Sequence, residues 1–95
     1  MFLIQVTYTK PIDEIDNHLI AHRAFLDKYY TSNNLICSGP RNPRTGGIIL
    51  CNFTSVEEVW SFIHQDPFYI HGIASYEVIE FNPVKFAEGF KPFIS

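Results

Sequence analysis

This 95-residue sequence has few basic residues, only two cysteines and no apolar run long enough to cross a membrane. Without a stretch of about 18 apolar residues, no transmembrane helix is expected. Seven Lys and Arg against ten Asp and Glu give a formal charge of −3, which argues against nucleic acid or an anionic membrane as the main partner. The first residues enter a strand-like segment without the charged start of a signal peptide, so we expect a cytoplasmic protein.

The two cysteines, Cys37 and Cys51, each lie in a strand-like apolar run and do not form a Cys-x-x-Cys motif. Nothing in the sequence indicates an oxidising compartment, where a disulfide would persist. Unpaired cysteines usually behave as small buried apolar residues. We therefore expect two buried free thiols.

Aromatic residues, in contrast, are abundant for a chain of this size: nine Phe, five Tyr and one Trp. A domain this small buries only about two thirds of the surface that its unfolded chain exposes. We expect residues 1–95 to form one domain whose aromatic surplus is buried in a homodimer, across one face of a sheet. Residues 82–95, an aromatic-rich C-terminal tail, are expected to pack on the dimer partner.

Hydrophobic periodicity predicts the order of the elements. Alternating apolar residues indicate a first strand from Phe2 to Tyr8, and a helix follows Pro11 and runs to about Tyr30. Three more strands are predicted at residues 35–38, 48–53 and 75–81, with a second helix between the last two. The order β-α-β-β-α-β is that of the ferredoxin-like split β-α-β fold, an α+β architecture with both helices on one face of a four-stranded antiparallel sheet.

Capping residues predict where the second helix begins and ends. In the capping box from Ser55 to Glu58, the Ser55 hydroxyl caps one amide and Glu58 reaches back to the other. The predicted buried face comprises Val56, Val59, Trp60 and Ile63. Pro67 ends the helix, and we expect Asp66 to cap a short new turn that begins at Pro67 and ends at Gly72.

The first helix carries a histidine on its apolar side. The apolar stripe comprises Ile15, Leu19, Leu26 and Tyr29. His22 lies within about 20° of the centre of this stripe. A titratable ring in that position must be paired with a buried partner or must line a cavity. Two interpretations fit: a core histidine satisfied by a hydrogen bond, and a general acid or base.

Asp66 is the partner that the second half of the chain offers to His22. An Asp before a Pro is commonly only a helix cap. However, His22 and Asp66 occupy matching places in the two β-α-β halves of the chain. If the helices lie side by side, the carboxylate would hold the imidazole in one tautomer and stabilise its protonated form. We therefore predict His22 and Asp66 as a catalytic pair.

No metal site is predicted. His18 precedes His22 by four residues, a spacing that can place two imidazoles on one metal ion, but no Cys or carboxylate obviously completes the set. His64 and His71 flank the turn at Asp66 and are expected at the surface or at the rim of a site.

Five short segments, taken in order, resemble the YCII-related proteins. They are His22-Arg23-Ala24-Phe25-Leu26, Leu35-Ile36-Cys37-Ser38-Gly39-Pro40, Gly46-Gly47-Ile48-Ile49, Asp66-Pro67-Phe68 and Tyr76-Glu77-Val78. The resemblance extends from Phe2 to about Pro83. It implies a dimeric ferredoxin-like α+β fold, akin to muconolactone isomerase, and a His–Asp dyad that corresponds to His22 and Asp66. One branch of the family dehydrochlorinates chlorinated hydroxyhydroquinones without a metal or organic cofactor.

The resemblance also implies which residues line the substrate pocket. The segment that would do so comprises Ser38, Gly39 and Pro40. Phe68 is predicted to join this lining. In the turn-rich segment 41–47, Arg41 and Arg44 are predicted to meet an anionic substrate at the mouth of the pocket, with Arg44 taken as the substrate-binding residue. Many relatives have leucine at the position of Arg23. In this chain Arg23 would add charge near the edge of the pocket or bind the dimer partner.

Three functions compete on this reasoning. The first is a cofactor-independent lyase or isomerase that acts on a small cyclic or aromatic-derived molecule through His22. The alternative is a non-catalytic dimeric module that binds a small molecule or another protein, and a haem- or oxygen-using monooxygenase is the third. Because one fold hosts many functions, the fold does not decide among them. The first two are distinguished by whether His22 and Asp66 meet at a cavity open to solvent.

Overall fold

A computed structural model describes residues 1–94, whose four strands form one antiparallel sheet in the order β2-β3-β1-β4. The elements are β1 (Phe2–Tyr8), α1 (Ile12–Asn17), α2 (Leu19–Thr31), β2 (Leu35–Pro40), β3 (Gly46–Cys51), α3 (Val56–Gln65), α4 (Pro67–Ile70), β4 (Ala74–Glu80) and a 3₁₀-helix (Glu88–Phe93). The fold is therefore the predicted ferredoxin-like α+β arrangement, with β1 and β3 central and β2 and β4 at the edges. None of the helices in residues 1–94 combines the length and the apolar character needed to span a bilayer.

Alternation along β1 places one of its faces in the core. Phe2, Ile4 and Val6 are at most 3% exposed, because successive side chains of a strand point to opposite faces of the sheet. In the antiparallel register, Ile49 lies opposite Ile4 and Cys51 lies opposite Phe2, so β3 adds its residues to the same layer. The helices supply the other layer of this main core through Phe25, Leu26, Val59, Phe62 and Ile63.

The edge strand β2 is longer than predicted, since it continues through Gly39 to Pro40. Pro40 lies opposite Gly47, and a proline without an N–H donor is tolerated because β2 has a neighbour on one side only. The register shifts between Leu35 and Cys37, and Cys37 is exposed. The expectation of two buried thiols is therefore correct for Cys51 and wrong for Cys37.

The predicted first helix is broken at His18. Its amide donates to the Ile15 carbonyl, which ends α1, and its carbonyl accepts from the His22 amide, which begins α2. The backbone of His18 has φ −115° and ψ 6°, outside the helical region. Ile15 packs on Phe68 in a smaller cluster, whereas Leu26 reaches the main core.

The helix α3 begins at its predicted cap, with a difference in detail. Ser55 Oγ accepts from the Glu58 amide at 3.2 Å, but the Glu58 side chain accepts from the Thr54 hydroxyl and not from a backbone amide. Only half of the capping box therefore forms. The buried residues of α3 are Val59, Phe62 and Ile63. Val56 is 39% exposed, so the predicted face was wrong at that position, and the face includes Phe62, which the prediction omitted.

The segment after β4 lies outside both layers. In residues 82–94, Phe90 lies 6.5 Å from Phe86 and 5.5 Å from Phe93 between ring centroids. Phe86 and Phe93 are nevertheless 42% and 38% exposed, and Val84 is 84% exposed. The tail thus carries an apolar surface that the body of the molecule, residues 1–81, does not cover, and its contact with a partner stays a prediction.

Candidate active site

His22 and Asp66 are in direct contact. Nδ1 of His22 lies 2.8 Å from Oδ1 of Asp66, although 44 residues separate them in sequence. The contact forms because α2 presents the imidazole from its core-facing side, while Asp66 occupies the junction between α3 and α4. The His22 side chain keeps 12% exposure and the Asp66 side chain keeps none.

Asp66 accepts three hydrogen bonds, which together satisfy a fully buried carboxylate. Oδ1 accepts from the Phe68 amide at 3.0 Å as well as from His22, and Oδ2 accepts from the Tyr76 hydroxyl at 2.6 Å. A carboxylate can only accept, so His22 must donate from Nδ1. Its Nε2 then carries the lone pair and is the nitrogen left for a substrate.

Tyr76 is the member of this group that the sequence reasoning missed. Burial, reinforced by the neighbouring Asp66 carboxylate, raises the pKa of the Tyr76 phenol far above its ordinary value, so the group stays protonated and donates. A signal was present, because strand alternation places Tyr76 on the helix-facing side of β4, opposite Val6. A tyrosine in such a layer usually needs a partner for its hydroxyl.

Phe68 fixes the plane of the imidazole. Its ring stacks on His22 with a centroid distance of 4.0 Å and an interplanar angle of 2°. Tyr8 meets the same phenyl ring edge to face at 6.0 Å. Because the Phe68 amide is also bound to Asp66, the cap of α4 and the orientation of His22 depend on the same carboxylate.

A cavity of about 290 Å³ opens beside this pair. His22 lines it, whereas the buried Asp66 stands behind the imidazole. Its apolar wall includes Val6, Leu19, Leu26, Ile49 and Phe68, which belong to or pack against the two core clusters. The pair therefore presents His22 to an accessible cavity, which is the arrangement that an acid–base role requires.

All five predicted substrate-binding residues lie on this cavity. They are Ser38, Gly39, Pro40, Arg44 and Phe68. Ser38 comes from the edge strand β2, and its hydroxyl lies 2.6 Å from that of Tyr30 on α2. The Ser38 hydroxyl is thus held by a tyrosine, and no histidine is bonded to it, so the residue has a hydrogen-bonding and not a nucleophilic environment.

The two arginines of the loop between β2 and β3 have different positions. Arg44 lines the cavity, lies over the Tyr8 ring at 5.9 Å and pairs with Asp16 at 2.7 Å. Arg41 donates to the Thr45 hydroxyl at 2.9 Å and does not line the cavity. Only Arg44 therefore stands where an anionic substrate was predicted to be met, and its charge is already paired there.

The remaining histidines lie apart from the pair. His18 stacks on His71 with centroids 3.9 Å apart, and His64 lies 4.7 Å from Tyr69. None of these three lines the cavity. Within residues 1–94, no group of three or more His, Cys, Asp or Glu side chains is arranged to hold a metal ion.

Comparison with known proteins gives a family and a fold. The model of the YCII-related domain matches residues 1–82. Among solved structures, the chain resembles a 5-chloro-2-hydroxyhydroquinone dehydrochlorinase from Burkholderia phenoliruptrix AC1100, solved in complex with 2,5-dihydroxybenzoquinone. The TM-score is 0.73 at 21% identity, over 86% of this chain and 94% of that chain, a likeness that establishes a shared fold. No curated protein matches the sequence.

Proposed function

This chain belongs to the YCII-related family, and on that premise we propose that it is a cofactor-independent enzyme that transfers a proton on a small cyclic or aromatic-derived molecule. One observation carries the proposal. Nδ1 of His22 is hydrogen-bonded to the fully buried carboxylate of Asp66 at 2.8 Å, and the imidazole lines a cavity. Nε2 of the same ring makes no contact with Asp66. Acid–base catalysis by such a group contributes a rate factor of about 10² to 10⁴.

In the proposed reaction, Nε2 of His22 removes a proton from an acidic hydroxyl or carbon of the substrate. The electron pair of the broken bond stays on the substrate as a phenolate or enolate. Asp66 stabilises the imidazolium that forms, and the hydrogen bonds from Tyr76 and the Phe68 amide keep that carboxylate in place. In an elimination, the electron pair expels a leaving group such as chloride. In an isomerisation, the imidazolium returns the proton to a different carbon.

The fold and the dimensions of the cavity support this substrate class. The dehydrochlorinase of similar fold was solved with a benzoquinone, a single six-membered ring. A cavity of about 290 Å³ is at the small end of ligand sites, which favours one ring over a larger cofactor-like molecule. Phe68 and Leu26 give that ring apolar walls.

The test is proton exchange in D₂O with the variant His22→Gln. The wild-type protein is incubated with di- and trihydroxybenzenes, their chlorinated derivatives and ring lactones, and NMR follows deuterium incorporation while an electrode follows chloride. We expect the variant to keep the native fold, as read from circular dichroism, and to lose a factor of about 10² to 10⁴ in rate. His64→Gln is the matched control, because His64 is exposed and lies off the cavity.

Two results would reject the enzymatic proposal. His22→Gln with the full rate on a confirmed substrate would remove the histidine from the mechanism. Ligands that bind the wild-type cavity with neither exchange nor product would leave a non-catalytic binding module as the function.

We also propose that the protein is a homodimer that buries the sheet face opposite the helices. The register places Leu3, Leu50 and Ile79 on that face, and Ile79 is 41% exposed. Phe81, two residues after Ile79, is 40% exposed and lines one groove together with Val84 and Phe86 of the tail. Contiguous apolar surface of this kind marks association sites, and a second copy would cover both parts.

Light scattering of matched variants tests the dimer. Ile79→Lys and Val84→Asp place a charge on the sheet face and on the tail, and each should shift the protein toward the monomer. Ile20→Lys, on the 84% exposed Ile20 of α2, should leave the dimer intact. A wild-type monomer at micromolar concentration would refute this proposal without touching the catalytic one.

A further inference from the structure

The charges around the cavity are of one sign. Its charged or titratable lining residues, apart from Tyr8, are His22, Arg23 and Arg44. No Asp or Glu is among the lining residues. Of the carboxylates that touch lining residues, Asp66 already accepts from three donors and Asp16 is paired with Arg44. A ligand in this cavity therefore meets cations and no exposed anion.

The two arginines differ in what they already bind. Arg44 is paired with Asp16 at 2.7 Å. The ion pairs in residues 1–94 are that one and the His22–Asp66 pair, so Arg23 has no carboxylate within 4.0 Å in this part of the chain. Arg23 is thus the lining cation whose charge is free for a ligand.

From the charges that line the cavity we infer that Arg23 binds a carboxylate of the substrate. The ring of the substrate then lies against Leu26 and Phe68, with its reactive position at His22. The inference rests on the proposed function, because it concerns the ligand of the same cavity. Arg23 follows His22 directly on α2, so its exposed side chain emerges about 100° further around the helix. That position is suited to hold one end of a molecule whose other end reaches the imidazole.

The chemistry of the guanidinium favours a carboxylate over a neutral polar group. Its planar donor fork matches the two oxygens of a carboxylate, and such charge-assisted bonds are about twice as strong as neutral ones. The volume of about 290 Å³ limits the ligand to about one substituted ring.

A pair of nearly isosteric probes tests the inference by calorimetry. 4-Hydroxybenzoate and 4-hydroxybenzamide have the same ring and differ mainly in the charge at one end. We expect the wild type to bind the acid about tenfold more tightly than the amide at low ionic strength, with the difference shrinking as salt is added. In Arg23→Gln the acid should lose this advantage, whereas binding of the amide should change by less than about twofold.

Two further variants assign the effect to one residue. Arg41→Gln removes the same charge from a residue off the cavity, and it should retain the preference for the acid. Arg44→Gln also leaves the Asp16 carboxylate unpaired and is therefore compared directly with Arg23→Gln, which should lose the preference. Loss of the preference in Arg44→Gln with full retention in Arg23→Gln would overturn the assignment to Arg23.

Other outcomes also overturn the inference, and they are distinguishable from failure of the proposed function. Equal affinities for the acid and the amide, or no binding of the acid at 10 mM (about the weakest affinity that calorimetry resolves), would reject an anion site. The proposed function would still be judged by the exchange rate of His22→Gln. An acid preference that depends on Arg23, combined with undiminished turnover in His22→Gln, would uphold the anion site and reject the mechanism.

Discussion

The body of the molecule and its tail place the same side chain in opposite environments. Five phenylalanines lie in residues 2–80, and each is at most 8% exposed; they are Phe2, Phe25, Phe53, Phe62 and Phe68. In the tail, Phe86 and Phe93 are 42% and 38% exposed. The body closes over its rings because helices cover one face of the sheet, whereas the tail is a single short 3₁₀-helix with no second layer. Burial therefore depends on layers, and the tail lacks one until something covers it.

The largest difference between the two regions is expected when a phenylalanine is replaced by alanine in each. Phe62 packs on Phe25, Tyr29 and Phe53 at centroid distances of 4.8–5.3 Å, so Phe62→Ala should lower the free energy of unfolding by about 3–5 kcal/mol. Phe93→Ala should change it by less than about 0.5 kcal/mol in the monomer. Urea denaturation at low protein concentration measures both values. Equal losses would mean that the tail is part of the folded core.

Removal of a buried carboxylate should also lower the free energy of unfolding more than removal of a surface helix cap, but by a smaller margin than for the two phenylalanines. Asp66 and Ser55 both cap a helix, but only Asp66 also binds His22 and Tyr76. Asp66→Ala leaves those two donors unpaired and should cost about 3 kcal/mol. Ser55→Ala loses a cap alone and should cost about 1 kcal/mol. Denaturation midpoints of the two variants decide, and a smaller loss for Asp66→Ala would show that the network adds nothing beyond the cap.

The smallest effect is expected for the two thiols, whose reactivity measures how well the core excludes solvent. Burial raises the pKa of the Cys51 thiol to about 11, whereas Cys37 is exposed. A thiol reagent at pH 8 should modify Cys37 in the native protein and Cys51 only after unfolding. Modification of both at equal rates would show that the core opens readily.

The raised pKa of Cys51 also predicts a dependence of stability on pH. The folded thiol keeps its proton to a higher pH than the unfolded thiol, whose pKa is near 9.0. The contribution of the protonated Cys51 thiol to the free energy of unfolding is therefore complete below about pH 8.5 and declines as the pH rises toward 11. The difference in unfolding free energy between the wild type and Cys51→Val should shrink over that interval. A difference that is constant with pH would contradict the shift.

Local patterns in the sequence were sufficient for the fold. The alternation in β1, the Ser55 cap and the Asp66-Pro67 junction are each determined by residues within a few positions of one another, and the structure forms all three. The contact between His22 and Asp66 was also predictable, since the two halves of the chain repeat one β-α-β unit and place these residues at matching points. The catalytic role of the pair stays a prediction.

What the tertiary structure decided are the contacts between residues distant in sequence. The pairing of Arg44 with Asp16 and the exposure of Cys37 leave no local signature. Strand alternation placed Tyr76 on the helix-facing side of the sheet, but only the fold made Asp66 the partner of its hydroxyl. The break at His18 belongs with them, because no proline or glycine in residues 12–31 marks it. The sequence by itself determined the order and the caps of the elements, since these depend on backbone preferences and short-range hydrogen bonds. Only packing determined which charges of the cavity are paired and which are free, since a charge is neutralised by whatever neighbour the fold brings within reach.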